Sequence, residues 1–301
     1  LKSILSNQIL RKYSKNKKIK KIKSFVKLIV PNQGIKFQNK VVTIPSLKIC
    51  FSFRHCVQKI NQIEIDKDTL YISCSVKDES LFQESGYIGV DLNATGHIAV
   101  CALNNKIIKL GKEAPHIRTK YQNIRKGAQK QKKYKFLKNL KHKESNKIKD
   151  INHKISRKIV NMAKENLYAI KLEKLTGIRK KKQGKSLNRL KSNWSFHQLQ
   201  QMIEYKAKLL GVKVFYIDPA YTSQRCSRCG LIGKRDKKFF MCSCGHNDHA
   251  DANASFNIAK APTNDRSTLD RDKVESHSWI INFLIMQNTD LAQAAINKND
   301  V

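Results

Sequence analysis

Short apolar segments separated by turn residues cover the first third of the chain. The segments at residues 40–44, 47–53 and 69–76 are rich in β-branched residues and alternate loosely between apolar and polar positions. Pro, Asn, Gly and Asp residues lie between them, as is typical of turns between strands. This pattern predicts a small β-rich domain, and a small barrel would satisfy it.

A different pattern follows, in which short apolar strands alternate with helical stretches. Strands are predicted at residues 87–91, 97–103, 106–110, 167–173 and 212–218. Helices are predicted at residues 116–158, 196–210 and 251–261, and a Lys- and Gly-rich loop at 177–191. Asp251 could open or cap the last helix. Strands that alternate with helices in this way predict an α/β core.

Three carboxylates stand at the ends of these predicted elements. Asp91 and Glu173 each end an apolar strand, and Asp251 lies at the start of the last helix. Each alone has a common structural explanation, as a turn cap, a solvated strand end or a helix N-cap. If the first and fourth strands are neighbours, however, the three carboxylates converge. Such a set can hold two Mg²⁺ ions that activate water for phosphodiester hydrolysis, so we predict these three residues to be catalytic metal ligands.

Four of the eight cysteines cluster in one short segment. Cys226 and Cys229 form one pair, and Cys242 and Cys244 form another. Four thiolates at this range suit one tetrahedral, structural Zn²⁺. Only one residue separates the second pair, so His246 or His249 could replace one thiolate as ligand, and a pair of disulfides is the other alternative.

The cysteine segment also carries basic residues. A ribbon closed by zinc could present four of them to a phosphate backbone. These are Arg225, Arg228, Lys234 and Arg235.

Charge sets the expected class of partner. Lys and Arg number 60 against 23 Asp and Glu, a formal net charge of +37, which makes nucleic acid the expected counterpart. Residues 116–158 carry 16 basic residues and two acids, too few acids for intrahelical pairing. Tyr121, Tyr134 and Phe136 within this region could either stack on bases or belong to the core.

The sequence gives no sign of a membrane anchor or a secretory signal. The longest apolar run, residues 279–286, is far shorter than the roughly 20 residues that a spanning helix needs. The Lys-rich N-terminus lacks the apolar core of a secretory signal. We therefore expect a cytoplasmic, nucleoid-associated protein without a membrane partner. Because residue 1 is Leu, we also expect that sequence precedes it in the complete protein.

Several segments together resemble a known family. IGVDLNATG, LEKL, NWSFHQLQQMIEYKAKLLGVKVFYIDPAYTSQRCSRCG and HADANASFNIAKA are similar to the RuvC-type nuclease core of TnpB proteins, which transposons encode, and of the compact type V CRISPR effectors. The resemblance covers roughly residues 85–261. YTSQ before the first cysteine pair is its most specific part.

The resemblance implies an RNase H-like (RuvC) core with an inserted zinc ribbon, preceded by a basic β-rich, wedge-like domain. It implies a division into residues 1–84 (wedge-like), 85–221 (core, with a basic helical insertion at 116–163), 222–247 (zinc ribbon), 248–262 (last core segment) and 263–301 (tail). It further implies an RNA-guided DNA endonuclease with a guide RNA and double-stranded DNA as partners, in which base pairing reads the sequence and the protein reads backbone and shape.

Two other functions remain open from the sequence. Family members usually carry a helical recognition part in the wedge domain, and little room exists for it before Gly34. A guided but non-catalytic DNA-binding protein or repressor, or a truncated inactive relative, is therefore the main alternative. An unguided, structure-specific nuclease is a weaker one, because only the fold would support it.

Overall fold

The computed structural model describes residues 3–14, 26–53, 57–66, 69–77, 79–175, 195–263 and 279–281. The chain divides into two units, one formed by Leu1–Lys77 with Val274–Val301 and the other by Asp78–Lys273. The loop predicted at 177–191 and most of the predicted tail lie outside the described residues. Every helix in the described part of the chain is too short or too polar to cross a bilayer.

Within the described residues, the first unit consists of one α-helix and two antiparallel sheets. Its elements are α1 (Ser3–Ser14), β1 (Leu28–Pro31), β2 (Lys36–Gln38), β3 (Val41–Ile44), β4 (Ile49–Ser52), β5 (Lys59–Asp66) and β6 (Thr69–Ser75). One sheet has the order β1-β5-β6 and is extended by the strand Trp279–Ile281, whereas β2, β3 and β4 form the other. The described strands therefore form two separate sheets rather than a single closed barrel. Apolar side chains that include Leu5, Val42 and Ile63 fill one core between the elements of this unit.

The second unit is an α/β fold with a small sheet inserted before its last helix. Its strands are β7 (Gly86–Leu92), β8 (Ala99–Leu103), β9 (Lys106–Leu110), β10 (Tyr168–Glu173), β11 (Val214–Ile217), β12 (Lys234–Asp236), β13 (Phe239–Met241) and β14 (Asn247–His249). Its helices are α2 (Glu113–Lys130), α3 (Tyr134–Glu165), α4 (Phe196–Leu209) and α5 (Ala250–Lys260).

The main sheet of this unit has the order β11-β10-β7-β8-β9. β10 runs parallel to both β7 and β11, and β8 runs antiparallel to β7. The first and fourth strands are therefore neighbours, as convergence of the predicted carboxylates requires. The carboxyl ends of β7 and β10 meet at one edge of the sheet, which we call the carboxylate edge.

Alternation along β7 separates the two faces of this sheet. Ile88, Val90 and Leu92 join the core that α3 and α4 cover. Gly89 and Asp91 point to the opposite face, because successive side chains of a strand alternate, and α5 packs on that face at Gly89. The helices thus cover the two faces of a sheet whose strands are mostly buried.

The basic stretch predicted as helical forms an antiparallel hairpin of α2 and α3. The break falls at residues 131–133, where Lys132 has a left-handed φ of 53°. Arg125 of α2 makes an ion pair with Glu144 of α3, and the Lys147 ammonium lies 5.9 Å from the centre of the Tyr121 ring. The helices also extend beyond the predicted limits, to Glu113 and Glu165.

Candidate functional site

Three carboxylates come together at the carboxylate edge. Asp91 is the penultimate residue of β7, and Glu173 is the last residue of β10, the strand beside it. Asp251 belongs to the first turn of α5, which packs against β7. Asp91 and Asp251 are buried, with 8% and 6% of their surfaces exposed, and Glu173 is half-buried. Three residues far apart in sequence thus form one acidic cluster.

The close approach of α5 depends on Gly89. A Cβ atom at this position would lie 2.0 Å from the Ser255 carbonyl oxygen and 2.4 Å from the Ala259 nitrogen. Both contacts are with backbone atoms, which cannot rotate away. Only glycine therefore lets α5 lie this close to the strand that carries Asp91.

A buried lysine fixes the other end of α5. Lys171 lies in β10 with 3% of its surface exposed, and its ammonium donates to the carbonyls of Ala259 and Ala261 at 2.9 and 2.6 Å. These carbonyls belong to the last turn of the helix and to its C-cap, where a cation is favourable. Gly89 and Lys171 together determine where α5 lies on the sheet.

The prediction that Asp251 opens or caps α5 is wrong. The helix begins at Ala250, and the N-cap is His249, whose Nδ1 accepts a hydrogen bond from the Asp251 backbone N–H at 3.3 Å. β14 leads directly into α5, so a histidine at the end of that strand occupies the capping position. The Asp251 carboxylate is not used as the cap.

The acidic cluster is electrostatically strained. Burial, together with the charges of Glu173 and Asp251, raises the pKa of Asp91 to about 7 against the opposing hydrogen bond from Asn93 at 3.0 Å. Burial also raises the pKa of Glu173, while Thr222 and Arg235 oppose that shift. Carboxylates that resist ionisation in this way are stabilised by a cation among them. The residues present therefore fit a divalent metal site.

Three side chains around the cluster were not predicted to act there. Asn93 donates to Asp91 Oδ2, and the Thr222 hydroxyl donates to Glu173 Oε1. Arg235, predicted to contact phosphate, lies 3.5 Å from Asp251 Oδ1 and reaches the cluster from the ribbon strand β12. Asn93 lies in the turn two residues after Asp91, and Thr222 lies in the YTSQ segment. The local sequence could therefore have suggested that both residues belong to the site. Arg235 carried no such local signal, because its contact depends on how the ribbon folds back.

From the raised pKa of Asp91 we predict how the free energy of unfolding of the metal-free protein depends on pH. Between about pH 4 and 7 the folded chain holds a proton that the unfolded chain releases, so the free energy of unfolding of the metal-free protein falls as the pH rises. Asp91→Asn removes this penalty, and we expect it to raise that free energy by about 4 kcal/mol near pH 8. Urea unfolding at a series of pH values measures the difference.

Asp150→Asn, an exposed change on α3, is the control and should alter neither the stability nor its slope with pH. A metal-free Asp91→Asn protein less stable than the wild type near pH 8 would contradict the prediction.

The four predicted cysteines form a second, separate cluster. Their Sγ atoms all lie within 4.8 Å of one another. Cys226 and Cys244 are 3.8 Å apart, and Cys229 and Cys242 are 3.5 Å apart, distances too long for disulfides. Four thiols at such distances around one point fit a tetrahedral metal site.

Of the two histidines near this cluster, one contacts a cysteine sulfur and the other caps α5. His246 Nδ1 lies 3.3 Å from the Cys226 sulfur, at hydrogen-bonding distance from a ligand atom. His249 caps α5 beside Asp251. Burial disfavours the Cys226 thiolate, but hydrogen bonds from the backbone of Cys229 and Arg228 and from His246 outweigh it and lower the pKa to about 7. His246 thus supports a thiolate ligand.

Two asparagines of α5 join the first cysteine pair to the helix that carries Asp251. Asn253 accepts from the Ser227 N–H at 2.8 Å and donates to the Arg225 carbonyl at 2.7 Å. Asn257 donates to the Thr222 carbonyl at 2.8 Å. The cysteine cluster and the acidic cluster are therefore parts of one hydrogen-bonded assembly.

We expect the purified chain to hold one zinc ion through its four cysteines. Replacing Cys229 and Cys244 by Ser should abolish that stoichiometry, because the two remaining thiols cannot complete a tetrahedral site. Atomic emission on protein purified without chelators measures the content. Cys50→Ser, in the first unit, is the control, and His246→Ala should keep the zinc. If His246→Ala lost its zinc while the double serine variant kept it, the four cysteines would not be the zinc ligands.

The remaining predicted basic residues lie on the surface of the ribbon. Arg225, Arg228 and Lys234 are exposed. Arg225 and Arg228, with Tyr221 and Lys260, help to line a groove of 720 Å³ between the first cysteine pair and the end of α5. Their exposure is compatible with phosphate contacts, whereas Arg235 contacts a carboxylate instead.

Comparison with known proteins points to one group. Residues 196–258 match the family model described as Cas12f1-like, TNB domain. The chain is 46% identical over 106 residues to the CRISPR-associated endodeoxyribonuclease Cas12f1 of Sulfoacidibacillus thermotolerans, covering 34% of this chain and 24% of that protein. It is 37% identical over 92 residues to the TnpB-like protein aq_aa05 of Aquifex aeolicus, covering 28% and 30%.

Solved structures show the same likeness at the level of the fold. A CRISPR-Cas12f ternary complex contains a chain with a TM-score of 0.51 and 22% identity, covering 70% of this chain and 47% of that one. A Cas12f1-sgRNA-target DNA complex gives 0.50 and 20%, covering 79% and 68%. The aligned segments span only about a quarter of the length of the first curated relatives. Over the residues that these matches cover, the expected resemblance to TnpB-type proteins and compact type V CRISPR effectors is confirmed.

Proposed function

We propose that this chain is an RNA-guided, magnesium-dependent DNA endonuclease of the TnpB type, with an RNase H-like (RuvC) core and an inserted zinc ribbon. The observation that carries the proposal is the convergence of Asp91, Glu173 and Asp251 at one edge of the α/β sheet. The relatives named as endodeoxyribonucleases support DNA as the substrate. A nucleoid-associated, cytoplasmic location and a division near the predicted domain limits belong to the same proposal.

The three carboxylates would hold two Mg²⁺ ions. Bound there, the ions would supply an activated water and neutralise the charge that develops on the phosphate. Asn93 and Thr222 each hold one carboxylate oxygen in place. Arg235 must leave Asp251 when a cation takes its place, and it then becomes available for a phosphate. Asn93 and Thr222 would thus orient the metal ligands, and the Arg235 guanidinium would become free to contact the substrate phosphate.

The four cysteines would hold one structural Zn²⁺. All four positions of a tetrahedral site are then filled by the protein, which is typical of a structural rather than a catalytic zinc. The ribbon has a small core of its own, formed by Cys226, Phe240, Cys242 and Ala250. A bound metal would compensate for this small core.

A guide RNA and a double-stranded DNA target are the proposed partners. The net charge of +37 is positive, as binding to the phosphate backbones of both partners requires. One similar solved structure is named as a complex with sgRNA and target DNA. Guide pairing would then select the DNA, while the basic surface holds the backbones.

The first experiment is to express the chain together with its flanking DNA and to sequence the RNA that co-purifies. We expect one discrete RNA whose variable end directs Mg²⁺-dependent cleavage of a matching duplex, with a scrambled duplex left intact. Matched DNA that binds but stays uncut would favour the guided, non-catalytic alternative. Cleavage without any enriched RNA would favour an unguided nuclease.

A further inference from the structure

The α2–α3 hairpin rises from the carboxylate edge of the sheet. Leu92 at the end of β7 pairs with Ala99, and Ala99 pairs with Leu110 at the end of β9. The end of β9 therefore lies at the same edge as Asp91, and α2 begins at Glu113, three residues later. The hairpin therefore starts at the same edge of the sheet as the proposed catalytic site.

Contacts between the two helices show which part of α3 extends beyond that edge. A Cβ atom on Gly111 would lie 2.6 Å from Ile155, which places Ile155 level with the edge. Farther out, Tyr121 lies beside Lys147 and Arg125 beside Glu144. We call the outer segment, residues 113–154, the basic arm. The 18 residues of α2 make it about 27 Å long at 1.5 Å per residue.

The basic arm is predominantly positive, with fourteen Lys and Arg against three acids, Glu113, Glu144 and Asp150. Residues 119–149 contain twelve Lys and Arg and one acid, Glu144, and Arg125 already pairs with that acid. The helices are held together by a narrow apolar seam that includes Tyr121, Ala128, Leu140 and Ile148. Outside the seam the arm is a lysine-covered surface whose natural counterion is phosphate.

Two aromatic rings stand at the tip of the basic arm. Tyr134 and Phe136, in the first turn of α3, are 68% and 49% exposed, whereas Tyr121 is buried. Of the three aromatic residues with open roles, the structure thus assigns Tyr121 to the core and leaves the other two at the surface. Five lysines lie close to the two rings in the sequence, at positions 130, 132, 133, 135 and 138. Exposed rings among cations are the combination that binds unpaired nucleic-acid strands, because rings stack on bases and cations hold the backbone.

We propose that the tip of the basic arm, which we call the platform, offers stacking contacts to single-stranded DNA that runs to or from the carboxylate edge. Tyr134 and Phe136 are two positions apart in α3 and therefore present their rings on different sides of the helix, each with lysines near it in the sequence. The choice of DNA rests on the proposed function, since the strand at that edge is the one to be cut. The arm's length of about 27 Å separates the platform from the carboxylate edge. The platform would hold the strand at that distance from the cut.

The test is binding of a short single-stranded oligodeoxynucleotide that contains 2-aminopurine, by the full chain without added Mg²⁺. The variant Tyr134→Ala with Phe136→Ala should bind about tenfold or more weakly and lose the quenching that stacking causes. Its salt dependence should stay unchanged, because the phosphate contacts remain.

Two matched variants separate stacking from other effects. The exchange of Tyr134→Phe with Phe136→Tyr keeps both rings and should bind like the wild type, as should Asn139→Ala, an exposed change on the next turn. All variants should unfold at the wild-type temperature, since the altered side chains are exposed.

Two results would overturn the platform. One is unchanged DNA binding and quenching in the double alanine variant. The other is a loss confined to RNA of the same sequence, which would assign the tip to the guide. Neither depends on cleavage, so this proposal can fail while the nuclease proposal holds. Failure of the nuclease proposal shows instead as cleavage that Asp91→Ala leaves intact.

Discussion

Asp91→Ala is expected to lower Mg²⁺-dependent cleavage of guide-matched DNA by roughly a thousandfold or more. Asp91 is buried between Glu173 and Asp251, and its carboxylate would contact the ions that activate water. Losing a ligand at this place removes several kcal/mol of transition-state stabilisation. Cleavage rates under single-turnover conditions at saturating Mg²⁺ measure the effect.

Asp150→Ala is the matched control for this substitution. It removes an exposed carboxylate on α3 that pairs with Lys154, and cleavage should stay within about twofold of the wild type, as expected for a surface pair. Guide RNA binding should be unchanged in both variants. Undiminished cleavage by Asp91→Ala would show that the acidic cluster is not the catalytic site.

Gly89→Ala is expected to lower cleavage about a hundredfold without touching any carboxylate. The added methyl group would lie 2.0 Å from a backbone oxygen of α5, so the helix must move away from β7 by more than 1 Å. A displacement of that size at reacting groups costs about a hundredfold in rate, and the overpacking should lower the free energy of unfolding by about 3 kcal/mol. Cleavage assays and urea unfolding measure the two effects.

Gly127→Ala is the control for this change. Gly127 lies in α2, and a Cβ atom there meets nothing within 4 Å. Alanine in an open helical position stabilises a protein by about 0.4–1 kcal/mol. Gly89→Ala should therefore be harmful where Gly127→Ala is neutral or favourable. Equal effects of the two would refute the close-approach argument.

The strands of the α/β unit could be predicted because each carries a local signal. Apolar runs of five to seven residues that end in Asp91 or Glu173 can be recognised as strands without knowing which strands they pair with. Convergence of the carboxylates was predicted on the condition that the first and fourth strands are neighbours, and β7 and β10 do pair. The sulfur cluster was predictable for the same reason, since its spacing is local.

Features that depend on distant contacts could not be predicted. Lys132 turns the chain in a left-handed conformation that lysine rarely adopts, so the sequence showed no break between α2 and α3. His249 caps α5 although histidine is not a favoured cap. The contact of Arg235 with Asp251 requires the ribbon to fold back on the core. In each case tertiary structure overrides the local preference.

The shared attachment of the cysteine cluster and Asp251 to α5 has a consequence for how such a protein responds to its surroundings. Cys229 and Cys244 are exposed, and the Cys229 and Cys242 sulfurs are already 3.5 Å apart. An oxidant that joined Cys229 and Cys242 in a disulfide would remove two of the proposed zinc ligands. It would also loosen the segment that Asn253 and Asn257 hold. Under the proposed function, oxidation outside the acidic cluster would then silence cleavage, so reducing conditions belong to any cleavage measurement on this chain.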